Sequence, residues 1–216
     1  MNKRTQHAHE LVPLLARYLV SSEPDGLYEY LLANSDLPGR RANLELAAAF
    51  GDVAARITES NVEAIWRLTE AMTEIGADEA PTGEPLEFVP FCGTVALGAV
   101  AAARPERLAA ALERLRQVSR DERWRLHEAV AMSLQRLLTS RAQETLDGMS
   151  AWILPGDPLP ARAVAVGLAD PWILEDPAIA ERALAFHRRI LANLQEEEER
   201  HTKGYRTLRQ GLAYTL

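Results

Sequence analysis

Apolar residues recur along almost the whole chain with the spacing of one helix face. Over residues 105–118 this spacing is kept by Leu108, Ala111, Leu112, Leu115 and Val118. Alternation of apolar and polar residues, which a half-buried strand needs, does not extend over any useful length. The sequence therefore predicts an all-α fold.

Eleven helices are predicted, and most of the links between them are short, which favours antiparallel neighbours. One connection is long, the Gly- and Pro-containing segment 76–85. We expect a single helical-repeat domain over residues 1–216 with a subdomain joint at 76–85. The predicted helices lie near 8–20, 25–34, 40–57, 60–75, 86–103, 105–118, 121–140, 141–153, 160–169, 178–195 and 204–215.

A short motif recurs within the predicted helices. Residues 129–134 (Ala-Val-Ala-Met-Ser-Leu) match residues 163–168 (Ala-Val-Ala-Val-Gly-Leu), and residues 94–99 are a weaker copy. A period in the thirties carried by Ala- and Leu-rich helices is typical of stacked α-hairpins. An irregular helical bundle, whose Ala-rich helices match by composition alone, is the alternative.

Residues 121–134 (Asp-Glu-Arg-Trp-Arg-Leu-His-Glu-Ala-Val-Ala-Met-Ser-Leu) resemble the second helix of a HEAT repeat. Together with segments 37–46, 91–93 and 208–214, this region makes the chain similar to a group of bacterial HEAT-repeat proteins without an assigned activity. The resemblance implies an α-α superhelix, a HEAT/ARM-like solenoid whose usual role is to present a binding surface. HEAT-like alkylpurine DNA glycosylases are an enzymatic branch, but their Trp, Asp and Arg residues do not match here position by position.

The charges are distributed unevenly along the chain. The total is −7, made up of −8 over residues 1–103, +4 over residues 104–141 and −3 over residues 142–216. All nine cations of the central region are arginines, whose planar guanidinium suits phosphate and carboxylate recognition. The acidic total argues against a general nucleic-acid binder, and the central region predicts a local surface that recognises anions.

Helical geometry selects candidate binding residues within the central region. Arg125, Met132 and Arg136 fall on a face away from the apolar stripe, and Trp124 falls at the edge of that stripe. In a solenoid this face would line a concave surface. Alternatively, Trp124 caps the core and Arg125 bonds a neighbouring acid. The candidate binding residues are Trp124, Arg125, Arg136, Arg120, Arg123, Trp152 and Trp172.

The leading hypothesis is a non-enzymatic scaffold that binds another protein through its Arg-rich central region. The second is a relative of the DNA glycosylases, in which Trp124, Trp152 and Trp172 would form a cage for a cationic base beside an aspartate. In addition, the apolar C-terminal segment 211–216 predicts a homodimer through that end of the chain.

No motif for catalysis, metal binding or nucleotide binding is found. The single cysteine and the scattered histidines have no metal-ligand spacing, and neither a nucleophile elbow nor a phosphate loop occurs. We therefore expect no cofactor and no metal. No apolar run near 18 residues and no cleavable leader are recognised, so we expect no membrane association and a cytoplasmic location.

Overall fold

A computed structural model describes residues 2–196 and 201–215, and within these ranges the chain is helical without strands. The all-α prediction is confirmed. Short 3₁₀ turns lie at Pro85–Glu87, Pro105–Arg107, Ser150–Trp152 and Ile173–Glu175. The α-helices are α1 (Lys3–Ser21), α2 (Asp25–Ala33), α3 (Leu44–Glu74), α4 (Phe88–Ala103), α5 (Leu108–Val118), α6 (Trp124–Ser140), α7 (Ala142–Met149), α8 (Pro158–Gly167), α9 (Pro177–Glu196) and α10 (Lys203–Thr215).

Local sequence signals explain where several helices begin. Asn2 caps α1 by accepting a hydrogen bond from the Thr5 amide at 2.8 Å, and Asn43 caps α3 by accepting one from the Leu46 amide at 3.0 Å. Pro158 lies at the first position of α8, where a missing amide hydrogen costs nothing. These signals fix the starts of the helices that flank the core.

The predicted helices 40–57 and 60–75 are one long helix, α3, with a kink. Asn61 has non-helical angles, φ −137° and ψ 38°, which interrupt the hydrogen-bond ladder. The Asn61 side-chain amide donates to the Ile57 carbonyl at 3.5 Å, and the guanidinium of Arg104 donates to the Thr58 carbonyl. The kink is therefore stabilised by donors that occupy the exposed carbonyls.

The helices of the core pack in a row, and from α4 onward every second helix belongs to it. Helix α3 packs on α1 and α4, α4 on α6, α6 on α8, and α8 on α10, while α5 contacts α4, α6 and α7. A continuous set of buried apolar side chains follows this row from Leu11 in α1 to Leu212 in α10. The helices on which the candidate site depends, α6, α8 and α10, thus form one end of a shared core.

The repeated motif lies at close contacts between neighbouring helices of this row. Gly98 of α4 faces Ser133 of α6, and a Cβ at residue 98 would lie 2.6 Å from the Ser133 Cβ. Gly167 of α8, the equivalent position in the third copy, faces Leu134, whose Cβ would be 3.0 Å away. The Ser133 hydroxyl donates to the Thr94 carbonyl at 2.7 Å, so the small residue also bonds the neighbouring helix. The similarity between the three segments therefore has a packing cause.

The expectation that no segment is apolar enough to cross a membrane needs correction. Segment Pro85–Ala103, which includes α4, is long and apolar enough by length and composition, although 83% of its most apolar window is buried inside the protein. A core helix passes the same test, and α4 packs on α3 and α6. The cytoplasmic location stays a prediction.

We predict that Gly98→Val lowers the free energy of unfolding by about 1–3 kcal/mol, because the new side chain must push α4 away from Ser133. Urea denaturation measures this change. Gly76→Ala is the matched control, since a Cβ at residue 76 would meet no atom within 4 Å. Equal stability of the two variants would contradict the close approach of α4 and α6.

Candidate binding groove

The arginines of residues 104–141 are mostly used inside the chain. Eight of the nine contact an acceptor in another part of the chain or in the preceding turn, and six of these reach back to residues 39–87. Three of these six pair with carboxylates and the other three donate to neutral oxygens within residues 39–87, so the contacts neutralise only part of the charge of the central region. The six that reach back are Arg104, Arg107, Arg114, Arg123, Arg125 and Arg136.

Arg123 is buried, with 1% of its surface exposed, and holds the long connection 76–85. Its guanidinium donates to the carbonyls of Ile75 at 2.9 Å and Ala80 at 3.1 Å, and to Asp121 at 2.7 Å. The predicted binding role of Arg123 is thus replaced by a structural one. Division of the chain into subdomains at 76–85 stays a prediction, but the segment is fastened to the residue that precedes α6.

Arg125 is also buried and does not line an open surface. It donates to Glu87 at 3.0 Å and to the Gly39 carbonyl at 3.0 Å, and its guanidinium lies 4.5 Å from the centre of the Trp124 ring. Glu87 is completely buried. The alternative in which Arg125 bonds a neighbouring acid is therefore the observed one, because a charge enclosed between α6 and the start of α4 needs a partner.

Arg136 and Arg120 are partly exposed and paired at separate places. Arg136 donates to Asp52 of α3, which also accepts from Arg4 at 2.6 Å. Arg120 donates to Asp157 at 2.5 Å, before α8. Burial alone would raise the pKa of Asp52, but the hydrogen bonds from Arg136 and Arg4 lower it, so this carboxylate stays ionised.

The three candidate tryptophans do not form a cage. Trp124 is 48% exposed and lines a groove between α6, α8 and α10, whereas Trp152 is 2% exposed and lies between α5 and α7. Trp172 is 79% exposed beside α6 and the start of α9. Each lines a different depression, so the arrangement needed to stack all three on one base is not formed.

The groove that contains Trp124 has a volume of about 850 Å³. Helix α8 contacts both α6 and α10 and forms the floor of the groove. Gly211 permits the close contact of α10 with α8, because a Cβ there would lie 3.0 Å from the Cγ of Arg162. The walls carry Trp124 and His127 from α6, and Lys203, Gln210 and Tyr214 from α10. Two of the predicted binding residues, Trp124 and Arg120, line this groove.

Arg162, on the floor of the groove, was missed by the sequence prediction. Its Nε is buried without a hydrogen-bond partner, and among the described residues no acceptor or carboxylate pairs with its guanidinium. Burial lowers the pKa of Arg162, although it remains protonated at neutral pH. A signal was present, since Arg162 is the single charge in the apolar helix Pro-Leu-Pro-Ala-Arg-Ala-Val-Ala-Val-Gly. Arg162 lies outside the arginine-rich region 104–141.

His127 is buried beside Arg162 and is neutral at neutral pH. Burial first, and then the charge of Arg162, lower the pKa of His127 below its usual value. Its Nε2 donates to the Asp121 carbonyl at 2.7 Å, which assigns the ring proton to Nε2. Charged groups that face the ring are Arg162 of α8, Asp121 before α6 and Lys203 of α10.

The end of α10 reaches the groove as well. Leu212 is buried, whereas Tyr214 is 89% exposed. Leu216, part of the apolar end predicted to form a homodimer, lies outside the described residues.

No protein-family model, curated protein or solved structure matches the chain. Within residues 2–196 and 201–215, no group of three or more His, Cys, Asp or Glu could hold a metal ion. Cys92 is buried, and burial raises the pKa of its thiol well above the usual value. The groove is therefore interpreted from its own geometry.

We predict opposite effects for two arginine variants. Arg125→Met should lower the free energy of unfolding by about 3–5 kcal/mol, because it leaves the buried Glu87 carboxylate without its counter-charge. Arg162→Met should leave the stability unchanged or raise it, because it removes a partly buried charge that has no partner. Urea denaturation of both variants measures the difference. A large loss of stability in Arg162→Met would show that Arg162 has a structural role.

A pH dependence follows from His127. Because its pKa is lower in the folded chain than in the unfolded one, its contribution to stability is complete above about pH 6.5 and declines as the pH falls toward the folded-state pKa. NMR titration should show a His127 pKa below the usual value. Arg162→Met should raise this pKa, although burial keeps it below that value. An unchanged pKa in the variant would contradict the proximity of the two side chains.

Proposed function

We propose that the protein is a non-enzymatic helical-repeat protein of the HEAT-like, α-α superhelical type that binds another protein through the groove between α6, α8 and α10. The row formed by α4, α6, α8 and α10, with small residues at equivalent positions of the repeated motif, supports the repeat class. Repeat proteins of this kind bind partners on surfaces formed by successive helices.

The observation that carries the proposal is the coexistence of two features in one groove. Trp124 is half exposed, although large apolar side chains are ordinarily covered, and Arg162 is partly buried without a counter-ion in the described part of the chain. Tryptophan and arginine are the side chains most often responsible for binding energy at protein interfaces. Eight of the nine central arginines already have acceptors, which leaves the groove as the favoured contact surface.

A protein partner fits the groove better than duplex DNA does. Contact with a duplex needs several cations directed at successive phosphates, whereas Arg120 is paired with Asp157 and Lys203 lies 3.9 Å from Glu122. The net charge of −7 repels a polyanion. The separation of Trp124, Trp152 and Trp172 also counts against the glycosylase alternative.

Phage display of random peptides tests the proposal. We expect peptides that bind the wild-type protein and Glu181→Trp equally but bind Gln210→Trp at least about 10-fold more weakly, which corresponds to about 1.4 kcal/mol. Gln210 is exposed on the wall of the groove, so a tryptophan there fills it, whereas Glu181 is exposed on α9 outside it. The two substitutions are therefore matched in size and exposure.

Two results would contradict the proposal. One is a selection in which no peptide depends on the groove. The other is tight binding of duplex DNA that weakens steeply between about 50 and about 200 mM salt, as expected when phosphate contacts release counterions. If the partner were instead a second copy of the chain, the mass measured by light scattering would rise with protein concentration, and Gln210→Trp would abolish this rise.

A further inference from the structure

Arg162 differs from the other arginines around the groove in what surrounds its guanidinium. Arg120 donates to Asp157, Arg123 donates to Asp121, and Arg125 donates to Glu87. Arg162 has no such acceptor among the described residues; its Nε is buried, as is that of Arg125, and its side chain as a whole is partly buried. A guanidinium that is partly removed from water without a partner is costly, and an incoming anion would supply acceptors for it.

The charges around Arg162 match a single carboxylate. Asp121 is already paired with Arg123, and Lys203 lies 3.9 Å from Glu122, so Arg162 is the one partly buried cation of the groove that remains unpaired within the described residues. A planar guanidinium accepts a carboxylate through two parallel hydrogen bonds. A polyanion would bring further charges for which the described part of the groove offers no second unpaired cation.

Aromatic side chains lie on both walls of the groove. Trp124, on α6, has Arg125 stacked 4.5 Å from its ring centre, which fixes the indole while 48% of the residue stays exposed. Tyr214, on α10, is 89% exposed and also lines the groove. An apolar or aromatic side chain between these walls would bury surface that is now in contact with water.

We infer that the groove takes an acidic peptide segment, in which the side-chain carboxylate of an Asp or Glu pairs with Arg162 and a neighbouring apolar or aromatic side chain packs against Trp124. This inference rests on the proposed function and names the chemistry of its partner. The occupant is a linear segment of another protein, because a groove of about 850 Å³ formed by three helices accommodates only a few side chains.

The same selection, analysed for composition, tests the inference. Peptides are displayed as internal segments, so that Asp and Glu side chains supply the carboxylates. Among the peptides that bind the wild-type protein but not Gln210→Trp, we expect enrichment of an acidic residue beside a Leu or an aromatic residue. In a second selection on Arg162→Met, the enriched peptides should no longer share the acidic residue but should still share the apolar one.

Calorimetry then measures the pair directly. The most enriched peptide and its Glu→Gln counterpart, or its Asp→Asn counterpart, are titrated into wild-type protein and into Arg162→Met. Each change alone should weaken binding about 10- to 100-fold, as for a hydrogen bond to a charged group, and the two together should weaken it no further. Arg182→Met is the matched control, and should change binding by less than about 3-fold because Arg182 pairs with Asp147 outside the groove.

NMR gives a readout that does not depend on affinity. The carboxylate would offset the charge of Arg162, so the His127 titration should move upward when the peptide is bound, while Asp121 and Lys203 face the ring in both states. The Glu→Gln peptide at saturation should cause a smaller movement.

The outcomes separate the two proposals. Groove-dependent peptides without an acidic residue, or equal binding to wild type and Arg162→Met, would overturn the acidic-peptide inference and leave the proposed function standing. Selected peptides whose affinity is unchanged by Gln210→Trp would overturn the proposed function itself.

Discussion

The pairing of the central arginines with the N-terminal half is the constraint on which the rest of the structure depends. Arg104 completes the kink of α3, Arg123 fastens the connection 76–85, and Arg125 pairs with the buried Glu87. A guanidinium can donate to several carbonyls at once, so one side chain joins segments that share no regular hydrogen bonds. These contacts set α6 against α3 and α4, and thereby set the position of the groove on its other side.

This pairing also changes the meaning of the charge asymmetry. A basic region between acidic flanks indicated an exposed surface for anions, but most of its charges meet acceptors within the chain. Arg162, outside that region, is a partly buried charge without a partner among the described residues. Burial penalises an unpaired charge. Arg162, which lacks an acceptor, is therefore more informative about binding than the many arginines of residues 104–141.

Close packing of helices at small residues explains both the repeated motif and the shape of the groove. Gly98, Ser133 and Gly167 bring α4, α6 and α8 together, and Gly211 brings α10 onto α8. Because α10 packs on α8, space remains between α10 and α6, where Trp124 and Tyr214 lie. The groove is thus a consequence of the same packing that builds the core, and its walls are held by regular helices.

The sequence by itself determined the helical class, the approximate extents of the helices and the repeated small-residue motif, because these depend on local periodicity and on caps such as Asn43. It also selected Trp124 and Arg120, which line the groove. Only the tertiary structure decided that Arg123, Arg125 and Trp152 are buried, that α3 is one kinked helix, and that Arg162 has no partner within residues 2–196 and 201–215. Helical periodicity reports which residues share a face, but the partner of a charged side chain depends on segments distant in sequence: 38 residues separate Arg125 from Glu87, and 86 separate it from Gly39.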